Sequence, residues 1–167
     1  NVLQSYAVNL TDAGSTTDTP TTTDDNVIVP SANQGATVVF DNVLINTGNG
    51  IDTFNITTNT STYPSGTTFI MYQGDGVTAL VDSNGDSIVD TGPVAAGTTF
   101  HVIMKAILPP SATGGPFTVN KTATSVGSPA TSNSVSDTLT TIVTSTVDLT
   151  NDAANPLGPG SGVGAAT

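Results

Sequence analysis

The chain has 167 residues, enough for one domain or one domain with extensions, and 36% of them are hydrophobic, which leaves material for a real core. All thirteen acidic residues are Asp, Glu and Arg are absent, and Lys105, Lys121 and His101 are the only basic side chains, so the formal net charge is −11. With so little positive charge to neutralise phosphates, the composition argues against nucleic acid and against anionic membrane surfaces, and it favours solubility and cation binding.

Thr and Val fit a pleated surface, and Asn, Asp, Gly and Pro supply turns, whereas the good helix formers Glu, Arg, Lys and Gln are scarce or missing. The composition predicts an all-β protein. There is no Cys, so disulfides are excluded. No signal-peptide pattern and no apolar run of transmembrane length is present, and a start at Asn1 suits a processed or excised chain.

Along the chain, Val2, Tyr6, Val8 and Leu10 line one face of an opening strand. Residues 15–26, rich in Thr, Asp and Pro, read as a loop or O-glycosylated spacer. Val27, Ile28 and Val29 lead to a longer strand in which Val38, Phe40, Asn42 and Leu44 alternate with Val39, Val43 and Ile45. A turn at residues 46–50 ends it, and Phe54 and Ile56 begin the next. Further strands are predicted over residues 67–72, 77–81, 98–108, 117–124 and 135–149. Short alternating strands separated by turn signals point to a sandwich or barrel.

The sequence divides into an N-terminal strand and loop that are partly an extension (residues 1–34), a core domain (35–146) and a C-terminal strand with a Gly/Pro linker tail (147–167). Val147-Asp148-Leu149-Thr150 echoes Val8-Asn9-Leu10-Thr11, as it would where a chain runs into the next copy of a tandem repeat, and chance matches of this length also arise in so biased a sequence. The tail is expected to be held by a neighbouring molecule.

The stretches VVFDNVLINTGNGIDTFNITT, TTFIMYQGDGVTALVDSNGDSIVDTGPVAAGTTFHVIMKAILPPSA and FTVNKTATS all fall between residues 36 and 143, a span of about two thirds of the chain. Their order resembles that of the Ig-like "conserved repeat" domains of bacterial and archaeal cell-surface, S-layer-type proteins. The resemblance implies an Ig-like antiparallel β-sandwich of seven to nine strands, here with extended terminal segments, and no catalytic activity; fold alone does not fix function.

Several positions carry specific chemistry. Asp82, Asn84, Asp86 and Asp90 stand at positions 1, 3, 5 and 9 of a loop, with the carbonyl of Ile88 at position 7, the spacing by which a looped backbone surrounds Ca²⁺. Hard oxygen donors suit Ca²⁺ better than zinc or copper. Ser87 at position 6, where the helical calcium loop has Gly, and Pro93 at position 12 depart from that pattern, and Asp75 or a water could complete the shell. The alternative is a solvated Asp/Asn/Gly turn. A hydrolase would depend on His101 as base, yet His101 falls within an alternating strand and reads as structural or exposed. Asn9, Asn55, Asn59 and Asn120 are candidate N-glycosylation sites, a weak signal in a chain so rich in Asn and Thr.

Lys121 falls on the apolar side of its strand, with Phe117, Val119 and Ala123, where the resembling domains usually carry an apolar residue. Snorkelling at a strand end is the ordinary explanation. A buried pair with an Asp, which leaves the mass unchanged, is preferred over a Lys–Asn isopeptide crosslink of the kind found in some surface Ig-like domains.

Together these features predict a non-enzymatic, calcium-stabilised, extracellular structural subunit or repeat of a self-assembling surface layer or filament. Its partner would be itself, through the terminal strands, with residues 1–12 and 147–167 at contacts between units and outside the core of their own sandwich. Two alternatives stand beside it: a pilus-like filament subunit whose terminal strand completes a neighbour's sheet, and an adhesin or carbohydrate-binding module, for which Tyr6, Tyr63 and Tyr72 are dispersed and Trp is absent.

Overall fold

Period-two alternation governs the chain. From Thr37 to Asn46, Val38, Phe40, Asn42 and Leu44 are buried, while Val39 on the opposite face is half exposed. The same alternation buries Val119, Lys121, Ala123 and Ser125 in one strand and Asn133, Val135, Asp137 and Leu139 in its neighbour. In a computed structural model, which describes residues 2–12 and 25–144, these stripes face one another across a sandwich.

The described residues form eleven strands: β1 (Val8–Asp12), β2 (Asn26–Val29), β3 (Ala32–Asn33), β4 (Thr37–Asn46), β5 (Asp52–Ser61), β6 (Thr68–Tyr72), β7 (Asp90–Val94), β8 (Thr99–Ile107), β9 (Phe117–Ser125), β10 (Ser132–Leu139) and β11 (Ile142–Val143). One sheet runs β1-β4-β8-β6, the other β2-β10-β9-β5-β7, and β11 pairs with β3 in a two-stranded ribbon. Phe40, Leu44, Val102 and Met104 from the first sheet and Phe54, Val119, Val135 and Leu139 from the second are buried in the core between them. The expected all-β sandwich is therefore present, with nine strands in its two main sheets.

Several elements differ from expectation. Most pairs are antiparallel, but β2 joins β10, and β11 joins β3, in parallel. The opening strand begins only at Val8, because residues 2–7 instead clasp the turn after β4: Asn49 N–H donates to Ser5 C=O at 3.1 Å, and Asn49 Nδ2 to Leu3 C=O at 3.0 Å. Residues 77–81 form no strand, since Val77 and Val81 are exposed and the segment makes only isolated bridges to Tyr72 and Asp90. Conversely, β7 is a strand without strand signals in its sequence, because it contains Gly92 and Pro93, which an edge strand tolerates. The strand expected over residues 135–149 starts earlier, at Ser132, and stops at Leu139; the chain then shifts to the small ribbon as β11. Residues 13–24 and 147–167, with the repeat echo and the linker tail, lie outside the described residues.

Contrary to the expectation that residues 1–12 lie outside the core, β1 pairs with β4 from Val8 opposite Asn46 to Asp12 opposite Asn42, and Leu10 is fully buried. Leu10 N–H donates to Asn133 Oδ1 on β10 at 2.8 Å, which ties the edge of one sheet to the other. Further along, Tyr6 lies so close over Gly127 that any Cβ there would collide with its ring. Because the strand supplies a core side chain, Leu10→Ala is expected to cost about 2–5 kcal/mol in urea unfolding rather than leave stability unchanged.

Candidate functional site

The strand register of the two sheets brings three polar side chains together inside the apolar core. Lys121 of β9 and Asp137 of β10 lie on the inward face as diagonal neighbours, Lys121 opposite Val135 and Asp137 opposite Val119. Asn42 of β4 reaches them from the other sheet. All three are fully buried. Lys121 Nζ stands 3.2 Å from Asp137 Oδ2 and donates to Asn42 Oδ1, and Asn42 Nδ2 donates to Asp137 Oδ1 at 3.1 Å. Lys121 does not snorkel at a strand end, the ordinary explanation for its place, because it is fully buried; the sharper alternative, a buried pair with an Asp, is present, and Asn42 on the core face of β4 is an added partner.

Burial sets the protonation of this group. Loss of solvent pushes the Lys121 amine below its ordinary value, against the pull of Asp137, and pushes the Asp137 carboxyl above its own, against Lys121 and Asn42. The surroundings are apolar on the Asp137 side. There Tyr63 meets Phe69 edge-on at 5.3 Å and Phe117 at 5.8 Å, and burial together with the nearby Asp137 holds the Tyr63 hydroxyl well above its ordinary value.

Two further buried contacts cross between the sheets. One is the Leu10–Asn133 bond. The other is Asn46 Nδ2, which donates to Val94 C=O on β7 and to Gly50 C=O, each at 2.9 Å. Within the second sheet, Asp52 accepts from Ser125 Oγ at 2.5 Å and from Gly127 N–H at 3.2 Å.

The candidate cation loop, residues 82–90, is closed by its own side chains. Asp82 accepts from the N–H groups of Gly85, Asp86 and Ser87, Asn84 from Asp86, and Asp86 from Ile88. Such Asx turns curl a short backbone into a ring. Asn55 of β5 holds the ring to the sheet, donating to Asp86 Oδ2 at 2.5 Å and accepting from Asn84 at 3.2 Å. Asp90, almost fully buried, spends both oxygens on Ser83 and Gly92 and so latches the loop's ends. Ser87 takes the left-handed conformation, φ 72°, that Gly would take at position 6 of a calcium loop. Hydrogen bonds from Asn55 and Ile88 hold the Asp86 carboxyl below its ordinary value. Among the described residues no three His, Cys, Asp or Glu side chains converge as a metal-binding group.

The remaining candidates are dispersed. His101 Nδ1 and Asp41 Oδ1 lie 2.9 Å apart on the solvent-facing side of β4 and β8, both partly exposed. Asn9 is buried. Asn55 is engaged in the loop, Asn59 donates to Thr122 Oγ1 at 2.6 Å, and Asn120 donates to Thr60 Oγ1 at 3.2 Å.

No protein-family model matches the chain, and no curated protein is significantly similar to it in sequence. Among solved structures, the N-terminal domain of PorA is similar with a TM-score of 0.56 and 12% identity, over 80% of this chain and 96% of that one. A family 123 glycoside hydrolase from Clostridium perfringens gives a TM-score of 0.49 and 7% identity, over 72% of this chain and 23% of that one. PapD-like domain 7 of human CEP192 gives 0.43 and 13%, over 83% of this chain and 87% of that one. At 12% identity the PorA likeness is one of fold.

The left-handed Ser87 yields a prediction. Relieving it by Ser87→Gly removes a steric cost of about 1–2 kcal/mol while adding backbone entropy to the unfolded chain of about 0.5–1 kcal/mol. A net gain of about 0.5–1 kcal/mol is expected in denaturant unfolding, and a loss would show that the Ser87 side chain contributes more than its backbone costs.

Proposed function

We propose that this chain is a non-enzymatic structural unit of a self-assembling extracellular surface layer or filament. The observation that carries the reading is the way the two sheets are joined: Lys121–Asn42–Asp137, Leu10–Asn133 and Asn46–Val94 each link one sheet to the other through buried polar groups. Apolar faces alone can slide over one another with little directional penalty. Separating buried polar partners leaves each of them unsatisfied in a low-dielectric interior, at about 1–3 kcal/mol for a neutral group and more for a charged one. A sandwich pinned in this way suits a load-bearing module. Its all-β fold is compatible with a surface or structural domain.

Assembly would use the end of the sandwich where residues 2–5 cross the turn after β4. Leu3 and Ile51 are both exposed there, and Gln4 Nε2 donates to Ile51 C=O at 2.9 Å. A donor-strand filament has less support, because β1 already occupies its sheet edge and Asn133 takes up the Leu10 N–H. Negative-stain electron microscopy of the purified chain at rising concentration is expected to reveal sheets or filaments, and Leu3→Ser with Ile51→Ser to diminish them. Monomers at every concentration would refute the assembly reading.

Calcium belongs to the same proposal. Asp82, Asn84 and Asp86, with the Ile88 carbonyl, would hold the ion, each side chain already preorganised by its Asx turn, and Asp90 would fix the loop's ends. The low Asp86 value suits this role: its contribution to stability is present above the ordinary carboxylate value and is lost as pH falls through the lowered one. A ligand that binds only the folded state raises its melting temperature. Free Ca²⁺ should therefore raise Tm, EDTA should lower it, and Asp86→Ala should abolish the difference; identical melting curves would remove calcium from the reading.

A further inference from the structure

We infer that Lys121 and Asn42 join in an intramolecular isopeptide bond, with Asp137 as the proton carrier, so that the two sheets of the sandwich are covalently linked. The inference rests on the buried triad alone and holds wherever the protein works.

The geometry supplies the parts of the reaction. Lys121 Nζ lies against the Asn42 carboxamide, and the Asp137 carboxyl spans nucleophile and leaving group, with Oδ2 3.2 Å from Nζ and Oδ1 accepting from Asn42 Nδ2 at 3.1 Å. In the reaction, Nζ attacks Cγ of Asn42 and a C–N bond forms. Asp137 receives a proton from Nζ through one oxygen and delivers one to Nδ2 through the other. The Cγ–Nδ2 bond then breaks and ammonia leaves, while the carboxyl returns to its starting state. A lysine amine and an asparagine amide become one secondary amide and one ammonia, with no oxidant, reductant or cofactor.

Three physical conditions favour this course. A nucleophilic lysine must be uncharged, and burial drives the proton from the amine towards the carboxyl. Proton transfer needs an acid–base group within hydrogen-bond reach of both nitrogens, which Asp137 is. Finally, strands packed in a core hold the reactants in contact continuously, which converts a slow bimolecular aminolysis into an intramolecular one. A salt bridge in the same place would bear the cost of a buried ion pair, whereas the amide product carries no charge.

Intact mass spectrometry of the purified, folded chain decides the matter. Loss of ammonia lowers the mass by about 17 Da relative to the sequence, whereas a salt bridge leaves it unchanged. Asn49-Gly50 and Asn84-Gly85 can also lose ammonia by cyclising, so the site must be mapped. Digestion is expected to release a branched peptide joining the segments around Asn42 and Lys121, and Asp137→Asn is expected to restore the full mass with both residues unlinked. The peptide map of the unaltered chain stands even where that variant fails to fold. A folded chain of full sequence mass, a loss that maps to Asn49 or Asn84, or an Asp137→Asn chain crosslinked like the original would each overturn the inference.

Discussion

A lysine at the centre of a dry sandwich imposes conditions on everything around it. Desolvating an amine or ammonium without a partner costs several kcal/mol, so the fold must bring compensating groups to Lys121 wherever it lies. Here they come from two directions: Asp137 from the adjacent strand and Asn42 from the opposing sheet. A one-residue slip of β10 against β9 would turn Asp137 to the outer face, and a one-residue slip of β4 would turn Asn42 away and bring Asp41 or Val43 to its place. The triad thus adds a second constraint on the register of both sheets to the one that their buried apolar faces impose, because its members must meet one another as well as face inward.

The same economy runs through the loops. With no Glu and no Arg, the chain cannot rely on long ion pairs at its surface, and its Asp residues serve instead as short-range acceptors for backbone N–H groups. Asp52 gathers Gly127 and Ser125, Asp75 holds the turn at Val77 and Thr78, Asp82 closes the loop of residues 82–90, and Asp90 latches its ends. Side-chain bonds of this kind replace secondary structure where the strands end. They also place negative charge on well-ordered backbone, the setting in which a hard cation is recognised.

How far the sequence reveals this architecture depends on the residue. β4, β8 and β9 are plain because each is long and alternates over most of its length, the exceptions being Val43 of β4 and Ile103 of β8, which are buried beside the core face. Residues 77–81 mislead because Val77 and Val81 alternate without a core to face. β7 hides because Gly92 and Pro93 carry turn signals, although at an edge they break no second ladder. Lys121 is legible as an anomaly on an apolar face. Its partners are not, because period two tells which face a side chain takes but not what meets it across the sandwich, and Asn42 lies in the other sheet. Similarly, the spacing of Asp82, Asn84 and Asp86 was readable, but the left-handed Ser87 was not, since nothing in the residue type asks for it.

The placement of the two lysines bears on survival in a hostile medium. A protease that cuts after Lys or Arg has only two sites in the whole sequence. Lys121 is sealed within the core, and Lys105 lies in β8, flanked by β4 and β6, with its ammonium 4.6 Å from the centre of the Tyr72 ring. Cleavage requires an extended segment free to enter the enzyme's cleft, and neither strand can leave its ladder without unfolding the sandwich. To trypsin-like enzymes the folded chain therefore offers no substrate, and its lifetime among them is set by how seldom β8 leaves its ladders with β4 and β6.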